Sequence, residues 1–118
     1  MLEPHVAFFG DGEKQFVLSH DLVIELERKT GNGIGSISRR FFSGDFHLAE
    51  LTEIARLALI GGGTDPEDAL ALVTTYAPRM TITKLYELLL PVMDLLMFGK
   101  AEGELQLIAQ TEEAPSDE

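Results

Sequence analysis

The chain has 118 residues, 45% of them hydrophobic, with 9 basic against 20 acidic side chains and a net charge of −11. That size and apolar share suit one soluble domain with a real core. The negative balance argues against nucleic acid, whose phosphates need a positive face, and against anionic membrane surfaces. The absence of cysteine excludes a disulfide framework, a thiolate zinc site and a thiol nucleophile, and it fits a reducing cytoplasm.

The first residues, MLEPHVAFFGDGEK, lack the basic region and long apolar run of a signal peptide. His5 to Phe9 is apolar, Gly10-Asp11-Gly12 is a turn signal, and Glu13 to Leu18 alternates, with Lys14, Phe16 and Leu18 on one face. This predicts a β-hairpin. A lone hairpin is marginal in water, so one face must pack on the helices that follow. Ser19 is placed to cap a first helix over Asp21 to Thr30, with Leu22, Val23 and Leu26 inward and Glu25, Glu27, Arg28 and Lys29 mostly solvated. Gly31-Asn32-Gly33 ends it. A short second helix over Gly35 to Phe42 follows, with Ile34, Ile37 and Phe41 at helical spacing.

A third helix covers His47 to Ile60, with Leu51, Ile54, Ala55, Ala58 and Leu59 inward and Glu50, Glu53 and Arg56 outward. Gly61-Gly62-Gly63 then reverses the chain, and Gly61 is expected to end the helix in the left-handed conformation. Asp65 or Thr64 caps a fourth helix, Pro66 to Tyr76, which buries Ala69, Leu72, Val73 and Tyr76. The fifth, Thr83 to Phe98, carries two apolar stripes: Leu85, Leu88, Leu89, Val92, Leu95 and Leu96, then Tyr86, Leu90, Met93 and Met97. Lys84, Glu87 and Asp94 leave it a narrow polar edge, and Pro91 is a kink signal. Such a helix is either central to a bundle or covered by another chain. Residues 100–118 read as a linker and an acidic, largely disordered tail, within which 104–110 suits either a short strand or a frayed helix. The expected fold is α+β, mainly α: a hairpin followed by a compact bundle of about five helices, forming one domain over residues 1–99.

Little here suggests catalysis. Gly31-Asn32-Gly33-Ile34-Gly35-Ser36 is glycine-rich, but it follows a helix rather than a strand and lacks the lysine of a phosphate loop. At the glycine triplet, Asp65, Glu67 and Asp68 would repel an anion. His5, His20 and His47 have no helical partner for a metal, and no serine sits in a nucleophile elbow. The reading is therefore not an enzyme, with no catalytic, cofactor or metal residues. The surplus apolar face of the fifth helix, Tyr86, Leu90, Met93 and Met97, is the candidate partner-binding or self-association surface, since methionine adapts to varied partners.

Taken in order, several pieces resemble one family. They are the hairpin with Gly12, Leu22 to Leu26 with Glu27-Arg28-Lys29-Thr30-Gly31, the Gly33–Gly35 turn, Arg39-Arg40, and Ser43-Gly44-Asp45-Phe46. Leu59-Ile60-Gly61-Gly62-Gly63 is the most distinctive, followed by Pro66, Glu67, Ala69, Leu72-Val73 and Tyr76, and then Leu95-Leu96-Met97-Phe98-Gly99. Over about Asp11 to Gly99 the chain resembles the gene-transfer-agent family of phage tail assembly chaperones. The resemblance implies a non-catalytic cytoplasmic protein that coats the hydrophobic tape measure protein and recruits tail tube protein during assembly. Two alternatives of other classes are a structural tail component retained in the particle and a small acidic ligand-binding or regulatory domain.

Overall fold

The structure, a computed structural model, describes residues 3–99. The expected linker, the 104–110 element and the acidic tail lie outside the described residues. The order of elements is β1 (His5–Phe9), β2 (Gly12–Phe16), α1 (His20–Thr30), α2 (Ile34–Ser43), α3 (Leu48–Gly61), α4 (Pro66–Tyr76) and α5 (Ile82–Phe98), with a 3-10 turn at Ala77–Arg79. The expected α+β architecture, a hairpin followed by five helices, is what the chain adopts.

β1 and β2 pair antiparallel, with Phe9 opposite Gly12 and His5 opposite Phe16. Gly10 has φ +70° and Asp11 does not enter the left-handed region, the φ pattern of a type II′ turn. Alternation puts Phe9 and Phe16 on one face, where both are buried and meet edge to face at 6.0 Å between ring centroids. Val6 and Phe8 point to the other face and are exposed.

α3 is the central element. Leu51, Ile54, Ala55, Leu57, Ala58 and Leu59 are all buried, and α1, α4, α5 and β2 pack against it. The glycine triplet does more than turn the chain. α3 runs through Gly61, Gly62 stays right-handed at φ −84°, and only Gly63 is left-handed, at φ +110°. The expected left-handed stop therefore falls two residues later. A Cβ on Gly61 would overlap the carbonyl oxygen of Val17, and one on Gly62 would overlap that of Gln15. The first two glycines let the end of α3 lie directly on the β2 backbone, and the Val17 amide donates to the Ala58 carbonyl at 3.1 Å.

Capping follows the sequence closely. Ser19 Oγ accepts from the Leu22 amide, Asp65 from the Glu67 amide, and Thr81 Oγ1 from the Lys84 amide at 3.1 Å. Gly33 has no side chain to cap α2, and Glu27 of α1 supplies the acceptor instead, taking the Ile34 amide at 2.8 Å. Glu27 is thus a cap in trans rather than a purely solvated residue. Its carboxylate also occupies the helix start that the glycine-rich segment would have offered to an anion. Tyr86 on α5 donates its hydroxyl to the Phe41 carbonyl at 2.8 Å, tying α5 to α2. α5 runs on through Pro91.

Candidate functional site: an apolar groove

A groove of about 780 Å³ is bounded by α1, α3, α4, the 3-10 turn and the start of α5. Its floor is core: Val73, Ala77 and Leu85 are buried. Its walls are Leu48 of α3, Leu70 of α4 and Ile82 of α5, exposed by 51%, 56% and 52%. Single exposed apolar residues are ordinary, but here three converge on one concavity. Met80 and Pro78 extend the lining.

Each wall residue is placed by its helix. On α4 the inward stripe is Ala69, Leu72 and Val73, so Leu70 must face away from the bundle axis. Leu48 opens α3 one turn before its buried stripe begins, and Ile82 follows the capping residue Thr81. Glu25, Lys29, Glu53 and Arg56 form the polar rim. Arg56 pairs with Glu53, and Arg28 with Glu25, each three residues along its helix. The Arg28 guanidinium holds the Glu25 carboxyl below its usual range. The rim therefore largely neutralises itself around an apolar middle.

A second charged feature lies at the α2–α3 junction. Arg40 donates to both carboxylate oxygens of Glu50, at 2.9 and 2.6 Å, and Glu50 also accepts the His47 amide at 3.0 Å. Hydrogen bonding from Arg40, reinforced by the His47 amide, holds the Glu50 carboxyl below its ordinary value against a desolvation that pushes the other way. Glu50, expected to face solvent, is buried. The outward reading of α3 fails here because α2 brings a cation over the position and removes the cost of burying the charge. Asp94, expected on the polar edge of α5, is buried as well.

The four residues proposed for partner contact occupy different environments. Met93 is fully buried in the core. Tyr86 is half-buried, stacked on Phe46 at 5.0 Å and tilted against Phe41 at 4.7 Å. Leu90 is half-buried against the core, and Met97 is exposed near the end of α5. They share a helix, and only Met97 is exposed, by 37%. The groove walls were missed because Leu48 and Leu70 lie off the inward stripes and Ile82 precedes the expected start of α5. Their signal was available as apolar residues standing outside the buried periodicity. Among the described residues no three His, Asp or Glu side chains gather as a metal site. No helix among them is long and apolar enough to cross a membrane.

Sequence comparison supplies the family. A family model described as phage tail tube protein, GTA-gp10, matches residues 4–99. The chain belongs to this phage tail family. The match spans the hairpin and all five helices. No curated protein and no solved structure matches the chain. The family points to a role in phage or gene-transfer-agent tails and to other tail proteins as partners.

Proposed function

We propose that this tail-family protein is a non-catalytic assembly chaperone. In this reading it works in the cytoplasm of the producing cell and holds an amphipathic helix of the tape measure protein while tail tube protein assembles around it. The observation that carries the reading is the groove walled by Leu48, Leu70 and Ile82. An open apolar trough with a polar rim suits a helix that lays down anchors at i, i+3, i+4 and i+7. Met80 lets the lining adapt to a client whose apolar residues vary along its length. The net charge of −11 keeps a complex with an aggregation-prone client in solution. The α5 face bearing Tyr86, Leu90 and Met97, with Met93 beneath it, is a second contact surface in the same reading.

The family description, which names a tail tube protein, favours a second reading: a structural subunit retained in the particle. Quantitative mass spectrometry of purified particles separates the two. A chaperone is abundant in the producing lysate and depleted from particles. A retained subunit appears in particles at a copy number comparable to that of the tube.

A further inference from the structure

Free positive charge gathers at the groove. Lys14, Arg28, Arg40 and Arg56 are each paired with a carboxylate, and Arg79 lies over the Tyr76 ring at 5.3 Å. Of the cations among the described residues, Lys29, Arg39 and Lys84 are left without such a partner. Lys29 lines the groove, and Lys84 stands on the first turn of α5 between the lining residues Ile82 and Leu85. Both lysines are exposed. The two carboxylates of the lining, Glu25 and Glu53, are already engaged by Arg28 and Arg56. An apolar trough with a positive surplus at its rim therefore stands in a chain of net charge −11.

The sequence after Gly99 carries the matching pattern. Leu105, Leu107 and Ile108 stand close together, and Thr111 to Glu118 follows with four carboxylate side chains and no cation. Most of the protein surface repels such a segment, and the rim of the groove does not. The distances suit it. α5 has 17 residues and is about 25 Å long, so the groove at its start lies about that far back from Gly99. Leu105 is six residues beyond Gly99 and Ile108 is nine, a reach of about 20 and 30 Å for extended chain. The apolar run thus arrives at the groove as the carboxylates of Glu112 and Glu113 come level with the lysines.

We infer that the segment from Leu105 to Glu113 folds back along α5 and occupies the groove, its apolar residues against the Leu48, Leu70 and Ile82 walls and its carboxylates beside Lys29 and Lys84. This rests on the groove being a docking site, as proposed above, and not on the identity of the client. The segment holds the client's place: it covers the walls while the groove is empty, and an incoming helix displaces it. Tethering supplies it at an effective concentration on the order of millimolar, so contacts too weak to hold two separate chains suffice. A client must then outcompete the segment, which favours helices with strong apolar anchors over casual ones.

The test uses the full chain, whose lack of cysteine lets introduced pairs report position. Ala109→Cys keeps the three apolar residues, and Thr74→Cys sits on the exposed lining of the groove. Mild oxidation at low protein concentration should join these two within one molecule several times faster than it joins Ala109→Cys to Phe8→Cys, on the exposed face of the hairpin. Leu107→Ser with Ile108→Ser should bring the Thr74→Cys rate down to that of the hairpin pair. Lys29→Glu with Lys84→Glu should slow it with the melting temperature unchanged. Equal rates at the two positions overturn the inference, as does a rate indifferent to Leu107→Ser with Ile108→Ser. A product of doubled mass would give the groove to a second copy and also overturns it. No client enters this measurement, so its outcome is separate from that of tape measure binding. Where the client does bind, Leu107→Ser with Ile108→Ser should raise its recovery several-fold, and an unchanged recovery overturns the competition.

Discussion

The carbonyl oxygen of Gln15 occupies the space that a Cβ on Gly62 would need. Val17 stands in the same relation to Gly61. Both obstacles are backbone, so neither can swing aside as a side chain would. Gly61→Ala or Gly62→Ala should therefore cost about 3 kcal/mol or more, read by urea or thermal unfolding. Gly63→Ala has open space around it and should cost only about 1–2 kcal/mol, from the left-handed backbone alone. Equal effects at the three positions would show that the triplet acts only as a turn.

Arg40 and Glu50 link α2 to the start of α3, and this sets a pH dependence. The folded-state pKa of Glu50 lies below the ordinary glutamate value of 4.5. Its contribution to stability is complete above that value and is lost as the pH falls through the depressed folded pKa. Glu50→Gln should lower the melting temperature by several degrees at pH 7, and the gap to the native chain should begin to narrow below about pH 4.5 and close once the pH is under the depressed folded pKa. A gap that persists unchanged at low pH would assign the loss to packing rather than to the ion pair.

Burial separates two substitutions that periodicity alone would have grouped. Met93 is fully buried, so Met93→Asp should destabilise the fold by about 3–5 kcal/mol, through lost packing and an unpaired buried carboxylate. Leu70→Lys and Ile82→Lys replace exposed residues and should shift stability by no more than about 0.5 kcal/mol. Thermal unfolding of the three variants side by side checks the contrast.

Tyr86→Phe removes the hydroxyl that donates to the Phe41 carbonyl and keeps the ring stacked on Phe46. The expected loss is about 1 kcal/mol. The Gly44 amide also donates to that carbonyl, which limits the penalty of leaving it unpaired. A loss of more than twice that size would mean that the hydroxyl organises the α2–α5 contact as a whole.

Much of this fold was legible in the residues themselves. Ser19, Asp65 with Pro66, and the glycines after α1 and α5 mark helix ends by local chemistry, and the alternation in β2 predicts which of its residues enter the core. What was not legible depended on a neighbour remote in sequence. Glu50 looks solvated until Arg40 is brought over it. Gly61 and Gly62 look like a turn until β2 lies against them. The second stripe of α5 looks like one surface until the bundle closes over Met93. The groove escaped for the same reason: Leu48, Leu70 and Ile82 come from three helices, and no single periodicity places them together.

The central claim is that the Leu48–Leu70–Ile82 groove receives a helix of the tape measure protein. The direct measurement is co-expression of the two proteins, followed by quantification of tape measure protein that stays soluble and co-purifies. The native chain should retain it, and Leu70→Lys with Ile82→Lys, folded and equally stable, should lose at least about tenfold in recovered client. Undiminished recovery with the folded double variant would contradict the claim.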